Sequence, residues 1–292
     1  MKKSSSAFSL IEVSLVVLII SLIAAGILTT TNIIKKSRLQ TAQILTKNSP
    51  VNNIPNLVAW FETSLDSSFI GNEKSDGTAI STWYDNNPNA ASKNNATQST
   101  STNRPTFTAN VFNSGIPGLK FDGSNDTLPF DGSSLINSSY SIFIVEQKTS
   151  NKALTSLNCI IGGSVLVANS NLHLCYGYGA DDKIRFGHFN NNLEYQNSTL
   201  SYSSPKTRMH SLIFNIAVGK KYWLNGGSSA TASDVQTAAI TSFAGSNIGS
   251  FASNTYEGNI AEIIIFNRAL TTEERRSVES YLGKKYNLTL NS

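Results

Sequence analysis

Charge is scarce in this chain. Only 14% of its 292 residues are Asp, Glu, Lys or Arg, and the formal net charge of +4 is spread along the sequence. A nucleic-acid partner needs a dense basic footprint, so none is expected. Histidine is nearly missing as well. His173, His188 and His210 lie far apart, without the His-Glu-x-x-His spacing that sets two metal ligands on one helix face. No Gly-x-Ser-x-Gly nucleophile elbow occurs. Nor is there a Glu-x-Asp-x-x-Glu run that would gather carboxylates along a strand for glycoside hydrolysis; Glu257 and Glu262 are five apart and face opposite ways in a regular strand. From these absences we expect no catalytic residues and no enzyme. The two cysteines, Cys159 and Cys175, are too few for a zinc site. They form either a disulfide, if the chain is exported to an oxidising compartment, or two buried thiols. No internal repeat is found.

What the chain does have is a long apolar stretch near its start. After a short basic leader with Lys2 and Lys3, residues Phe8 to Leu28 contain one charged side chain, Glu12. About 20 apolar residues suffice to cross a bilayer as a helix, so the composition predicts a membrane-spanning segment. A cleaved secretory signal would have a small-residue site after its core, for which Ser21, Ala24, Ala25 and Gly26 could serve, but Glu12 stands where that core should begin. A plain signal anchor accounts for the length but not for the acidic residue, which is costly at that place.

The order Phe8-Ser9-Leu10-Ile11-Glu12 behind the small residue Ala7 resembles the N-terminus of type IV pilins and type II secretion pseudopilins. That resemblance implies cutting by a prepilin peptidase between Ala7 and Phe8, on the cytoplasmic side, with methylation of the new amine. It gives Glu12 the role of the assembly carboxylate, paired with the N-terminal amine of a neighbouring pilin or pseudopilin subunit. The family usually has Gly where this chain has Ala7. The implied place is the bacterial inner membrane, single-pass, with the N-terminus cytoplasmic and the remainder periplasmic or extracellular in an assembled filament. Lys35, Lys36 and Arg38 follow the span and compete with Lys2 and Lys3 in the positive-inside count, so the motif, not charge, sets the orientation.

The helical pattern continues past the apolar stretch through Ile33, Ile34, Ala42, Ile44 and Leu45, and Pro50 and Pro55 end it. The expected organisation is a leader over 1–7, a transmembrane and projecting helix over 8–49 and a β-sandwich over 54–290. From Ile54 onward short apolar runs alternate with turns, the pattern of an all-β sandwich. Candidate strands are Leu57 to Phe61, Ile80 to Tyr84, Gly118 to Phe121, Ser141 to Glu146, Leu172 to Tyr176, Lys183 to Phe189, Met209 to Ile216, Lys221 to Leu224 and Asn259 to Phe266. Asn86 to Thr102 reads as a polar surface loop, and Asn225-Gly226 as a turn. Thr271-Thr272-Glu273-Glu274 has capping-box form, and Val278, Tyr281 and Leu282 then share one face of a short closing helix.

Several segments of this region resemble concanavalin A-like, LamG-type jelly-roll domains of bacterial surface proteins. They include Pro55-Asn56-Leu57-Val58-Ala59-Trp60, Trp83-Tyr84-Asp85, Phe121-Asp122-Gly123-Ser124-Asn125-Asp126 and the closing run from Gly258 to Leu270. The fold class implied is mainly β: two antiparallel sheets behind a long N-terminal helix, with a short C-terminal helix. Some such domains hold calcium, for which Asp122, Asn125 and Asp126 supply oxygens; the same residues can equally make a turn by side-chain to backbone bonds. No other cofactor is expected. Tyr84, Tyr176, Tyr178 and Tyr202 could stack on sugars or simply pack. Together these readings point to a pilin-like structural subunit that displays a head for adhesion, to a glycan or a surface protein. The alternative is a membrane-tethered lectin that forms no filament.

Overall fold

The computed structural model describes residues 10–149, 157–177, 183–196 and 205–291. It opens with α1 (Leu10–Lys47), a single helix of 38 residues. No proline falls within it, and Pro50 opens a 3-10 turn over Pro50–Asn53 that Ser49 caps through its side chain. Large apolar side chains between Leu10 and Ile23 are 47–88% exposed. Among the described residues, no helix is long and apolar enough to cross a membrane. The expected single-pass inner-membrane anchor is corrected on that finding.

The other end of α1 behaves differently. Leu39, Ala42, Gln43, Leu45 and Thr46 recur at helical spacing and turn toward the sandwich, while Ile33, Ile34 and Ile44 stay exposed. Three polar contacts pin this end. Arg38 donates to the Asn113 carbonyl at 3.0 Å, Gln43 to the Ser64 carbonyl at 2.9 Å, and the Thr46 and Tyr281 hydroxyls meet at 3.2 Å.

The strands follow in chain order: β1 (Leu57–Glu62), β2 (Thr82–Trp83), β3 (Ala96–Thr97), β4 (Thr106–Phe112), β5 (Ile116–Asp122) and β6 (Leu128–Pro129). Next come β7 (Tyr140–Lys148), β8 (Asn158–Gly162), β9 (His173–Tyr176), β10 (Lys183–Gly187), β11 (Asn192–Gln196) and β12 (Thr207–Asn215). The last are β13 (Gly219–Leu224), β14 (Ala232–Asp234), β15 (Asn247–Ile248), β16 (Ser250–Phe251), β17 (Asn254–Thr255) and β18 (Glu257–Phe266), before α2 (Thr272–Tyr286). The large sheet has the order β14-β13-β12-β7-β18-β5-β4, with β1 also on β18; the small sheet has the order β11-β10-β9-β8-β15-β6. All their pairings are antiparallel.

Period-two alternation builds the core between the sheets. Ile142, Ile144, Leu212, Phe214, Ile263 and Ile265 of the large sheet meet Ile160, Leu174, Ile184 and Phe186 of the small one. The opposite face of the large sheet carries a second core, where Trp60, Phe143, Met209 and Ile264 are covered by α2 and the end of α1 through Val278, Tyr281, Leu282, Tyr286 and Ala42. The capping box of α2 is formed: Glu274 N donates to Thr271 Oγ1 at 3.2 Å and Thr271 N to Glu274 Oε2 at 2.9 Å. The fold is therefore mainly β, a jelly-roll-type sandwich with a short C-terminal helix.

Candidate functional site

Three polar assemblies stand out, and burial separates them. The first lies under α2. Glu62 and Glu262 are directly opposite each other on β1 and β18, a like-charge pairing that would repel. Lys285 settles it by donating to Glu62 Oε2 at 2.9 Å and to Glu262 Oε2 at 2.8 Å. Trp60 Nε1 and the Tyr281 and Tyr286 hydroxyls donate to Glu262, and Ser64 and Ser68 to Glu62. Burial pushes the Glu62 carboxyl up, but the Lys285 charge and the serine hydrogen bonds outweigh it and leave it below its ordinary value. All three charged groups are sealed from solvent.

The second assembly spans the two sheets. Glu146 accepts from Tyr176 at 2.6 Å, from Tyr256, and lies 3.1 Å from His210 Nε2, whose Nδ1 meets the Tyr222 hydroxyl at 3.0 Å. These side chains are also buried. Both assemblies tie layers together, and neither meets the surface.

The third is open. On β9, β10 and β11, alternation sends Leu174, Tyr176, Ile184, Phe186 and Leu193 into the core. It leaves His173, Cys175, Lys183, Arg185, Asn192 and Glu194 on the outer face of the small sheet. Arg185 sits between Cys175 and Glu194 in register. Its Nε donates to Glu194 Oε1 at 3.0 Å and its guanidinium also to the Gly177 carbonyl, while Lys183 Nζ donates to Glu194 Oε2 at 2.9 Å. The Lys183 hydrogen bond, with Arg185 behind it, holds the Glu194 carboxyl below its usual range, although its side chain is 39% exposed. Burial lowers His173 to about 4, so its imidazole is neutral at neutral pH.

Aromatic rings close this face. The β16–β17 hairpin lays Phe251 against His173, with ring centroids 4.5 Å apart, and Phe189 approaches Phe251 at 6.2 Å. Gly162 permits this, because a Cβ there would stand 2.6 Å from Phe251 Cβ. Cys159 and Cys175, cross-strand partners on β8 and β9, are joined as a disulfide beneath the same rings. The result is a cleft of about 300 Å³ lined by Leu157, His173, Arg185, Phe189, Asn190, Asn192, Glu194 and Phe251. At its rim Phe189 and Asn190 have φ of 43° and 58°. A bulky aromatic residue in the left-handed region is uncommon and strained by roughly 1–3 kcal/mol, and such strain concentrates at functional sites. A wider recess of about 620 Å³ lies by Lys93, Asn94 and Asp131, but there Asn94 and the Asp131 backbone bond each other reciprocally, which commits the lining to holding its own loop.

The residues singled out in the sequence are placed as follows. Ala7 and Phe8 lie outside the described residues. Glu12 is exposed in the first turn of α1, beside Val13, Leu15, Val16 and Val17. Asp122 Oδ1 accepts from Ser124 N and Asn125 N, and Asp126 Oδ2 from Asp122 N, so both carboxylates shape the turn at Gly123. Burial raises Asp126 to about 6. Among the described residues, no group of three or more His, Cys, Asp and Glu could hold a metal ion. Tyr176 is buried and bonded to Glu146, Tyr84 is half-buried, and Tyr178 and Tyr202 lie outside the described residues. The sequence reading missed Phe189, Asn190, Asn192 and Glu194. Its one available signal was the polar run Asn190-Asn191-Asn192 after Phe189, a hairpin turn with an aromatic at its shoulder.

No family model matches this chain, and no curated protein does. Solved structures do. It resembles a Trypanosoma rangeli sialidase in complex with sialic acid, with TM-score 0.52 and 15% identity over 79% of this chain and 33% of that one. A GH54 α-L-arabinofuranosidase gives TM-score 0.55 and 17% identity, over 79% of this chain and 63% of that one. The binding domain of Paraclostridial Mosquitocidal Protein 1 gives 0.52 and 13%, over 79% and 52%. This chain thus spans less than two thirds of each of these structures. At such identities the likeness shows a shared fold. The expectation of no enzyme is corrected here: the fold also occurs in chains of glycoside hydrolases, so the missing motifs do not exclude that chemistry.

Proposed function

We propose that this chain binds carbohydrate through the cleft on the outer face of the small sheet. The observation that carries the reading is Phe189, held at the rim in a left-handed backbone conformation beside Asn190, Asn192 and the doubly ion-paired Glu194. A sugar presents C–H faces and hydroxyl edges. Phe189 and Leu157 offer apolar surface to the first, and the amides and the fixed carboxylate offer acceptors and donors to the second. The similar structures support a glycan as ligand class: one holds sialic acid, and another was soaked with 4-nitrophenyl α-L-arabinofuranoside. The test is a glycan array probed with the labelled full chain, then titration of the best hit. Phe189→Ala and Asn192→Ala should each weaken binding about tenfold or more, the equivalent of about 1.4 kcal/mol. Binding unchanged in both variants would remove the cleft from the account.

A second reading rests on α1. We infer that its exposed apolar side chains from Leu10 to Ile23 bring copies of the chain together, since apolar surface of this extent marks an interaction site. The resemblance of Phe8 to Glu12 to pilin-type N-termini supports the same reading. Cutting by a prepilin peptidase before Phe8 and assembly through Glu12 belong to it. Sedimentation of the full chain should show large species that Leu15→Ser and Ile19→Ser dissociate; a monomer in every case would sink it.

A further inference from the structure

Lys220 is buried at the edge of the sandwich, and its neighbours are unusual. It leaves β13 on the inner face, with its amine over the Phe214 ring at 5.7 Å. It crosses to the small sheet, where it donates to Asn191 Oδ1 at 3.0 Å, in the turn between β10 and β11. Asp234, its cross-strand partner on β14, stands with Oδ1 at 3.8 Å. Asp234 Oδ1 accepts from Gln236 N, but among the described residues the buried Oδ2 has no hydrogen-bond partner. A buried lone acceptor beside a buried amine calls for an explanation.

We propose that Lys220 and Asn191 are a self-crosslinking pair, in which the lysine amine displaces ammonia from the asparagine side chain and joins the two sheets by an isopeptide bond. An amine attacks an amide carbonyl only as the free base. Burial pushes the Lys220 ammonium below its ordinary pKa, against the pull of Asp234, which favours loss of its proton. In the first step Lys220 gives a proton to the Asp234 carboxylate, whose Oδ1 stands at 3.8 Å, and the bond from Nζ to Asn191 Cγ forms as the carbonyl electron pair moves to Asn191 Oδ1. Asp234 then returns the proton as the bond from Cγ to Nδ2 breaks. Nδ2 leaves with a proton from the former amine, and the carbonyl re-forms. One ammonium ion is released, Asp234 ends as a carboxylate, and no oxidant or co-reactant is consumed.

The bond falls where it matters for the cleft. Asn191 belongs to the same turn as Phe189 and Asn190, so a link to β13 would anchor the rim to the large sheet.

The experiment is intact-mass measurement on the purified full chain with its disulfide reduced, followed by protease digestion and fragmentation of peptides. The expected result is a mass lower than the sequence by one ammonia, and a branched peptide that joins the segments carrying Asn191 and Lys220. Asn191→Ala and Lys220→Arg should restore the full sequence mass, and Asp234→Asn should leave most of the chain uncrosslinked. Circular dichroism on each variant distinguishes a lost crosslink from a lost fold. The full sequence mass in folded wild-type chain after prolonged incubation overturns the proposal. So does an ammonia loss mapped elsewhere, such as ring closure at Asn225-Gly226.

Discussion

The outer faces of the two sheets handle charge in opposite ways. On the large sheet, α2 and the end of α1 lie over Glu62, Glu262 and Lys285 and exclude water from them. On the small sheet no helix among the described residues covers Arg185, Lys183 and Glu194, and the carboxylate keeps contact with solvent. A sealed ion triad serves the fold, because an interior charge is tolerated only with a partner. An open pair beside aromatic rings and amides costs little to build and can exchange partners. The contrast teaches that burial, more than residue type, separates structural from recognition chemistry in this chain.

The comparison can be broken most sharply at Lys285. Lys285→Met leaves two facing carboxylates buried without a cation and should cost about 3–5 kcal/mol in denaturant unfolding. A loss below about 1 kcal/mol would mean that water reaches the triad. Next is acid. Burial holds His173 at about 4 and His188 at about 3 in the folded chain, against 6.5 when unfolded. Depressed histidines contribute stability that is whole above pH 6.5 and drains as pH falls toward those values. By linkage each should cost about 2 kcal/mol at pH 5. Asp126 works in the opposite direction, since its raised pKa favours the fold as pH falls through about 6. Melting followed from pH 7 to 5 should therefore show a net loss that His188→Gln reduces.

The disulfide comes third. It spans a sequence separation of 16, and Cys159→Ser with Cys175→Ser should cost roughly 3 kcal/mol through the freed loop. The effect should also appear as weaker glycan binding, because the bridge lies under Phe251. Smallest in stability is Glu194→Gln, below about 1 kcal/mol for an exposed pair, yet it should weaken glycan binding about tenfold. Equal effects on stability from Lys285→Met and Glu194→Gln would erase the distinction between the faces.

The sandwich itself was legible, because the strands around Phe143, Leu212 and Ile264 alternate strongly and the capping box at Thr271 marks its helix from four residues. The short strands β8, inside the small sheet, and β11, at its edge, were not; Asn192 to Gln196 carries few apolar residues and borrows its pairing from β10. The strand expected to run to Phe189 ends at Gly187, just before the backbone turns left-handed at Phe189 and Asn190. The cleft was invisible for a related reason. His173, Arg185, Glu194 and Phe251 come from four separated segments, and only the sheet register brings them together. Glu262 fell within the expected strand from Asn259 to Phe266, but nothing local to it could name Glu62 or Lys285 as its partners. The apolar start of α1 was the loudest signal in the sequence and drew the membrane reading, whereas the packing of Ala42 and Thr46 against the sandwich was quiet.

That packing gives the molecule a mechanical layout. The Tyr281 hydroxyl meets Thr46 of α1 on one side and Glu262 of β18 on the other. Strand β18 is held along its length by β7, β5 and β1. A pull applied through α1 therefore enters the head at its most heavily laced strand and spreads laterally as shear across three neighbours. The outer face of the small sheet lies across the core from this load path. A ligand held there would keep an undistorted grip while the rest of the molecule bears tension.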